Sequence, residues 1–188
     1  KTIDGKSSDR ALHTLIFDDP ECRPFYYKNG KSFKDYHKEG EIFWHKYVTY
    51  TEGMSDYWDY SFFNVSVIRY ADVLLLYAEC LNDKGETTEA INIINKVRAR
   101  VNVPALPLTM GKAEVLKHLQ DKERPCELAL EGSRWYDLVR WGIVEETLKA
   151  HNKPFVENYV DTKHQLFPIP HSEFLLNPDW EQNPNYSK

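Results

Sequence analysis

The chain has 188 residues, a formal net charge of −5, and 28% charged against 41% hydrophobic residues, the balance of one ordinary globular domain. The negative charge and the lack of any Lys/Arg-rich stripe exclude nucleic acid as a primary partner. No apolar run approaches the roughly 18 residues of a membrane-spanning helix. The chain opens KTIDGKSSDR, without an initiator Met or signal sequence, so a mature start, a tag-trimmed start and a fragment all stay open.

Residues 1–24 are polar and irregular, ending in DDPECRP. From Phe25 to Phe63 the chain turns aromatic and charged, punctuated by Gly30, Gly40 and Gly53. The alternation from Phe43 through Tyr50 suggests short strands among loops. At Val65 the pattern becomes helical. Ile68, Ala71, Leu74, Leu75, Ala78 and Leu81 recur at three- and four-residue spacing, and Val73, Leu76 and Tyr77 widen the stripe. A helix apolar nearly all round is expected to be buried over 66–82. Asn82-Asp83-Lys84-Gly85 stops it with a C-terminal glycine. Thr87 or Thr88 then caps a second helix over 87–101, with Ala90, Ile94, Val97 and Val101 on one face. Ala78 and Ala90, with Gly85 between them, match the small-residue spacing of a tetratricopeptide-type helix pair. A lone pair of this kind cannot bury both of its faces.

Further helices are expected over 112–124 and 126–141, with a kink or a fresh start at Pro125. Glu127, Glu131, Arg134, Asp137 and Arg140 form a charged stripe, while Leu128, Leu130, Trp135, Leu138, Val139 and Trp141 cover the other sides. Gly132 in mid-helix costs about 1 kcal/mol against Ala, which points to a close neighbour packed upon it. The region 150–188 is expected to lack regular structure apart from a helical turn after Ser172. Within it, LFPIPHSEFLLNPDWEQNPNY (166–186) mixes four prolines and three asparagines with large apolar side chains. Proline denies it helix and sheet, yet it is too apolar for a disordered tail.

Four stretches, in order, resemble the SusD/RagB family of starch-utilisation-type proteins: RYADVLLLYAE (69–79), INKVRAR (94–100), ELALEGSRWYDLVRWG (127–142) and the tail FPIPHSE…NPDWEQNPNY. The resemblance is strong over 64–186, faint over 25–63 and absent before that. One departure is visible, because the family's usual second basic residue after Glu123-Arg124 is Pro125 here. The resemblance implies a mainly α fold of tetratricopeptide-like helix pairs, irregular loops and a non-regular Pro/Asn-rich C-terminal strap held across the helices. It implies that residues 1–188 are the C-terminal part of a longer protein whose N-terminal part is missing. In that reading 1–63 is an irregular aromatic-rich segment, 64–142 a helical core and 143–188 a loop and strap. It also implies a lipid-anchored protein at the cell surface, on the outer membrane, that captures a glycan or oligosaccharide without cutting it. Its partner would be a SusC-like TonB-dependent transporter.

No catalytic residues, metal site or cofactor are expected. Glu131, Arg134 and Asp137 share one helix turn and read as an ion-pair network, because glycoside hydrolysis needs carboxylates opposed across a substrate. A hydrolase fragment would have to rely on Asp56 and Asp59. The seven His residues show no ligand spacing, His164 and His171 included. Cys22, Cys80 and Cys126 lack any C-x-x-C pairing, and Cys80 and Cys126 read as small buried hydrophobes. Aromatic rings stack on the apolar faces of sugars, which makes Trp58, flanked by Tyr57 and Tyr60, and the separate Trp44 the candidate ligand-binding residues. Trp135, Trp141 and Trp180 fit core or strap positions better. A helical-repeat scaffold that binds a protein and no glycan is the alternative reading.

Overall fold

The computed structural model describes residues 5–22, 32–47, 64 and 66–187. It is mostly helical, with one two-stranded sheet among the described residues. The chain divides into two compact units, Lys1–Gly132 and Ser133–Lys188.

The first unit opens with α1 (Asp9–Thr14), where Ser8 Oγ accepts from the Ala11 amide as a helix cap. Strand β1 (Leu15–Ile16) follows, so the segment read as irregular carries ordered structure. It pairs antiparallel with β2 (Phe43–Trp44), Leu15 opposite Trp44 and Ile16 opposite Phe43. The part of the expected strand beyond Tyr47 lies outside the described residues.

Helices α2 (Tyr70–Asp83) and α3 (Thr87–Ala99) form the expected hairpin. Ala78 and Ala90 are both fully buried, and Leu75, Leu81, Ile91, Ile94 and Val97 complete the seam. Gly85, at φ +89°, closes α2. The Glu86 amide donates to Leu81 O and the Gly85 amide to Asn82 O, which satisfies two carbonyls that the helix end would leave bare. Neither threonine caps α3. Thr87 is its first residue, and its hydroxyl donates instead to Asn82 Oδ1 at 3.0 Å. The outer face of α2 is not buried as the periodicity implied. Tyr70 is 77% exposed and Tyr77 52%, with Val73 and Leu76 also exposed, because one hairpin covers only the stripe facing α3.

Buried Asn82 ties the hairpin to α4 (Lys112–His118) through its Nδ2 bond to Lys112 O, 2.9 Å. Asn95 does the same for the proline-bounded linker. Its Nδ2 donates to Leu106 O (3.1 Å) and its Oδ1 accepts from the Leu106 amide (2.7 Å). Beyond α4 the helix widens into a π turn, Leu119–Glu123, before α5 (Arg124–Glu127). Pro125 has no N–H and its ring would crowd the carbonyl four residues back, a conflict that the wider turn relieves. The continuous helix expected over 126–141 does not form. It breaks over residues 128–132, with Leu130 at φ +64° and Gly132 at φ +79°. A Cβ on Gly132 would meet nothing within 4 Å, so this glycine serves a left-handed backbone and not a close approach.

The second unit contains α6 (Ser133–Trp141), α7 (Val144–Ala150), a 3-10 turn at Pro154–Asn158, α8 (Asp161–His164) and α9 (His171–Leu176). Helix α7 and the short α8 fall where loop was expected. Leu138, Val144 and Leu148 form the core here, packed by Trp135, Ile143, Val156 and Tyr159. Trp135 meets Tyr159 edge-on, at 6.3 Å and 80°. Asp137 is buried and bonded to Arg140, whereas Glu131, expected on the same helix turn as Arg134 and Asp137, lies in the break before this helix and pairs with Arg69 and Lys46 instead. Helix α9 lies where the turn after Ser172 was expected.

The tail is held less by its apolar side chains than by amides. Gln182 Oε1 accepts from the Ile169 amide and its Nε2 donates to Ile169 O. Asn183 Nδ2 donates to Phe167 O and Tyr186 OH to Leu166 O. Side chains thus take over the pairing that a strand partner would supply, in a segment whose prolines forbid a ladder. Phe174 is buried, whereas Leu166, Phe167, Leu175, Leu176 and Trp180 are exposed.

Candidate ligand-binding site

Three glutamates at four-residue spacing, Glu123, Glu127 and Glu131, organise the first unit below the hairpin. The π turn swings Glu123 inward until it is fully buried. Arg10 Nη2 donates to its Oε1 at 2.7 Å, and Arg98 Nη1 to its Oε2 at 2.6 Å. His118 Nε2 lies 2.9 Å from Oε2. A carboxylate only accepts, so this ring nitrogen is the protonated one. Burial alone would push the Glu123 carboxyl upward. The His118 hydrogen bond and the Arg10 and Arg98 charges outweigh it and bring the pKa down to about 2.

Glu127 accepts from Arg69 Nη1 (3.1 Å) and Arg100 Nη2 (2.6 Å) on Oε1. Its Oε2 lies 2.8 Å from Arg10 Nε, an ion pair whose N–H points elsewhere. Glu131 binds Arg69 Nε at 2.7 Å and Lys46 Nζ, and these hydrogen bonds hold its carboxyl below the ordinary range against the cost of burial. Buried Arg124 reaches Asp72 of α2 at 2.8 Å, tying the α5 turn to the hairpin. General-acid catalysis at neutral pH requires a raised carboxyl pKa. Glu123 has the opposite, and all three glutamates are committed to cations, so the cluster is structural.

Beside this cluster opens a cavity of about 660 Å³. Its wall comes from Ser8 and Arg10 at α1, Trp44 of β2, Arg98 of α3, and His118, Lys122, Glu123 and Cys126 of the α4–α5 stretch. Its volume falls within the roughly 300–1,000 Å³ of small-molecule clefts. Trp44 is 51% exposed, anchored by a two-residue strand whose next residue, His45, bonds Leu12 O through Nδ1 at 2.8 Å. An indole half in solvent beside a cavity is free to stack on a ligand.

Of the candidate ligand-binding residues, only Trp44 is therefore placed. Trp58, Tyr57 and Tyr60 lie outside the described residues, as do Asp56 and Asp59. Cys80 and Cys126 are exposed, contrary to their reading as buried hydrophobes, and Cys22 is the buried one. The cavity's polar floor was not foreseen. Arg98 and Glu123 sit in or beside quoted motifs, but nothing around Arg10 signalled its role. No group of His, Cys, Asp and Glu among the described residues is arranged to hold a metal ion. No described helix is long and apolar enough to cross a membrane.

The described residues are mostly helical and built on one tetratricopeptide-like hairpin. The SusD family profile matches residues 24–186, and the chain belongs to that family. SusD-like protein P38 of Formosa agariphila is 35% identical over 132 residues, which cover 65% of this chain and 25% of the relative. SusD-like protein P2 of the same organism is 30% identical over 131 residues, covering 65% and 26%. A SusD superfamily protein from Bacteroides vulgatus matches in structure with TM-score 0.75 at 29% identity, across 99% of this chain and 41% of that one. A SusD homolog from Bacteroides thetaiotaomicron gives 0.53 at 35% identity, across 63% and 26%. The chain spans about a quarter of the length of the curated relatives it matches.

Proposed function

We propose that this chain belongs to a non-catalytic, glycan-capturing subunit of an outer-membrane uptake complex. In this reading the full-length protein is lipid-anchored at the cell surface and partners a SusC-like TonB-dependent transporter. Membership of the SusD family supports it, and the observation that carries it is half-exposed Trp44 standing at a cavity of small-ligand size. Trp44 presents a flat apolar face to a sugar ring while polar groups of the wall bind hydroxyls. Trp58, Tyr57 and Tyr60 are proposed as further stacking residues. A glycan array probed with the full-length protein tests this: a cluster of bound glycans related in structure supports it, and a blank array opposes it.

The exposed Tyr70, Val73, Leu76 and Tyr77 on α2 favour a second reading, a helical scaffold that binds protein through that face. Recovery of a TonB-dependent transporter alone, with no glycan bound, would favour this one.

A further inference from the structure

We infer that the cavity beside Trp44 takes an anionic sugar residue, one bearing a carboxylate or a sulfate ester, with Trp44 against the ring and Lys122 at the anionic group. The inference rests on the glycan-binding reading and narrows its ligand class.

The chain as a whole is acidic, with net charge −5, yet this cavity is not. Arg10, Arg98 and Lys122 line it against a single carboxylate, Glu123. That carboxylate is fully buried, and both its oxygens are taken by Arg10, Arg98 and His118. The acids behind it do not restore neutrality. Five permanent cations, Arg10, Arg69, Arg98, Arg100 and Lys46, surround Glu123, Glu127 and Glu131. Excess positive charge beside a low-dielectric recess concentrates anions.

Lys122 is exposed at the wall and has no ion-pair partner among the described residues, although Lys117, one turn earlier, pairs with Asp121. The arginines are locked in buried pairs, so Lys122 is the cation free to meet a ligand. An ammonium on a flexible stem suits a carboxylate or sulfate oxygen as a point charge. A neutral glycan uses Trp44 and leaves Lys122 idle. An anionic one engages both.

The test is calorimetric titration of the full-length protein and its variants with four probes. These are a neutral oligosaccharide, a uronate oligosaccharide and a sulfated oligosaccharide of equal length, and sodium sulfate. We expect one anionic oligosaccharide to bind about tenfold more tightly than the neutral one, the size of one charge-assisted hydrogen bond. Added salt should erode that advantage. Lys122→Gln should remove it and Lys122→Arg retain it, both with unchanged thermal stability because the residue is exposed. Trp44→Ala should weaken neutral and anionic sugars alike. The uronate and sulfated arms identify which anion is read. Equal binding of neutral and anionic sugars, unaffected by Lys122→Gln, would overturn the anionic inference and leave glycan capture standing. Failure of every oligosaccharide to bind would overturn both. Sodium sulfate binding as tightly as the sulfated sugar would refute the part assigned to the ring.

Discussion

Replacing Glu123 by Gln isolates the charge at the centre of the first unit while keeping its shape. The side chain is fully buried, and its partners Arg10 and Arg98 are only 11% and 12% exposed. Removing one member of such a buried pair costs about 3–5 kcal/mol, because the remaining cations cannot reach water. The lowered pKa expresses the same contacts as a proton equilibrium. The carboxyl titrates at about 2 in place of 4.5, and at ~1.4 kcal/mol per pKa unit that difference is worth about 3 kcal/mol. A folded pKa below the unfolded one means this stability is present above pH 4.5 and is lost as pH falls toward 2. Urea unfolding of the full-length protein, followed by circular dichroism between pH 7 and pH 2, reads both effects. Glu123→Gln should be destabilised by about 3 kcal/mol or more at pH 7. It should also lack the share of acid sensitivity that Glu123 gives the wild type between pH 4.5 and 2. A variant within ~0.5 kcal/mol of wild type at pH 7, the range of an ordinary surface substitution, would refute this account of the cluster.

Gly132→Ala and Gly132→Leu should destabilise equally, by about 1–2 kcal/mol, because the cost is left-handed backbone at a site with open space; a much larger loss for Leu in thermal unfolding would restore the overpacking explanation. Asn95→Ala strips both partners from the Leu106 backbone and should cost about 1–3 kcal/mol by denaturant titration. Gln182→Ala should leave global stability nearly unchanged yet speed hydrogen exchange at the Ile169 amide, and unaltered exchange there would show the tail to be held by something else.

What was legible in the sequence was local. Leu75, Ala78, Ala90, Ile94 and Val97 announce their hairpin because each buries itself at helical spacing against a partner no more than 22 residues away, and Gly85 marks the turn by a purely local backbone demand. The same locality misled at Gly132. A glycine inside a helical pattern looks like a packing site, and only the broken backbone at Leu130 shows it to be a left-handed turn. Pro125 signalled a disturbance but not its form, since a π turn conserves the apolar periodicity on either side. The outer face of α2 read as core because periodicity records how apolar a surface is and not whether anything covers it. The cavity was beyond sequence reasoning altogether. Its floor joins Arg10 to Glu123 across 113 positions, and neither belongs to a pattern that predicts the other. The tail's amides escaped for a related reason: Gln182 and Ile169 pair through a side chain, which leaves no periodic trace.

Glycan capture without cleavage is tested most directly by calorimetric titration of the full-length protein with polysaccharides, wild type against Trp44→Ala and Trp58→Ala, with product analysis for released sugars. The account predicts saturable binding to at least one glycan, unchanged chain length of that glycan, and an affinity loss of about 1–3 kcal/mol for each tryptophan variant with little change in melting temperature. Released oligosaccharides from pure protein, or full affinity in both variants, would contradict it.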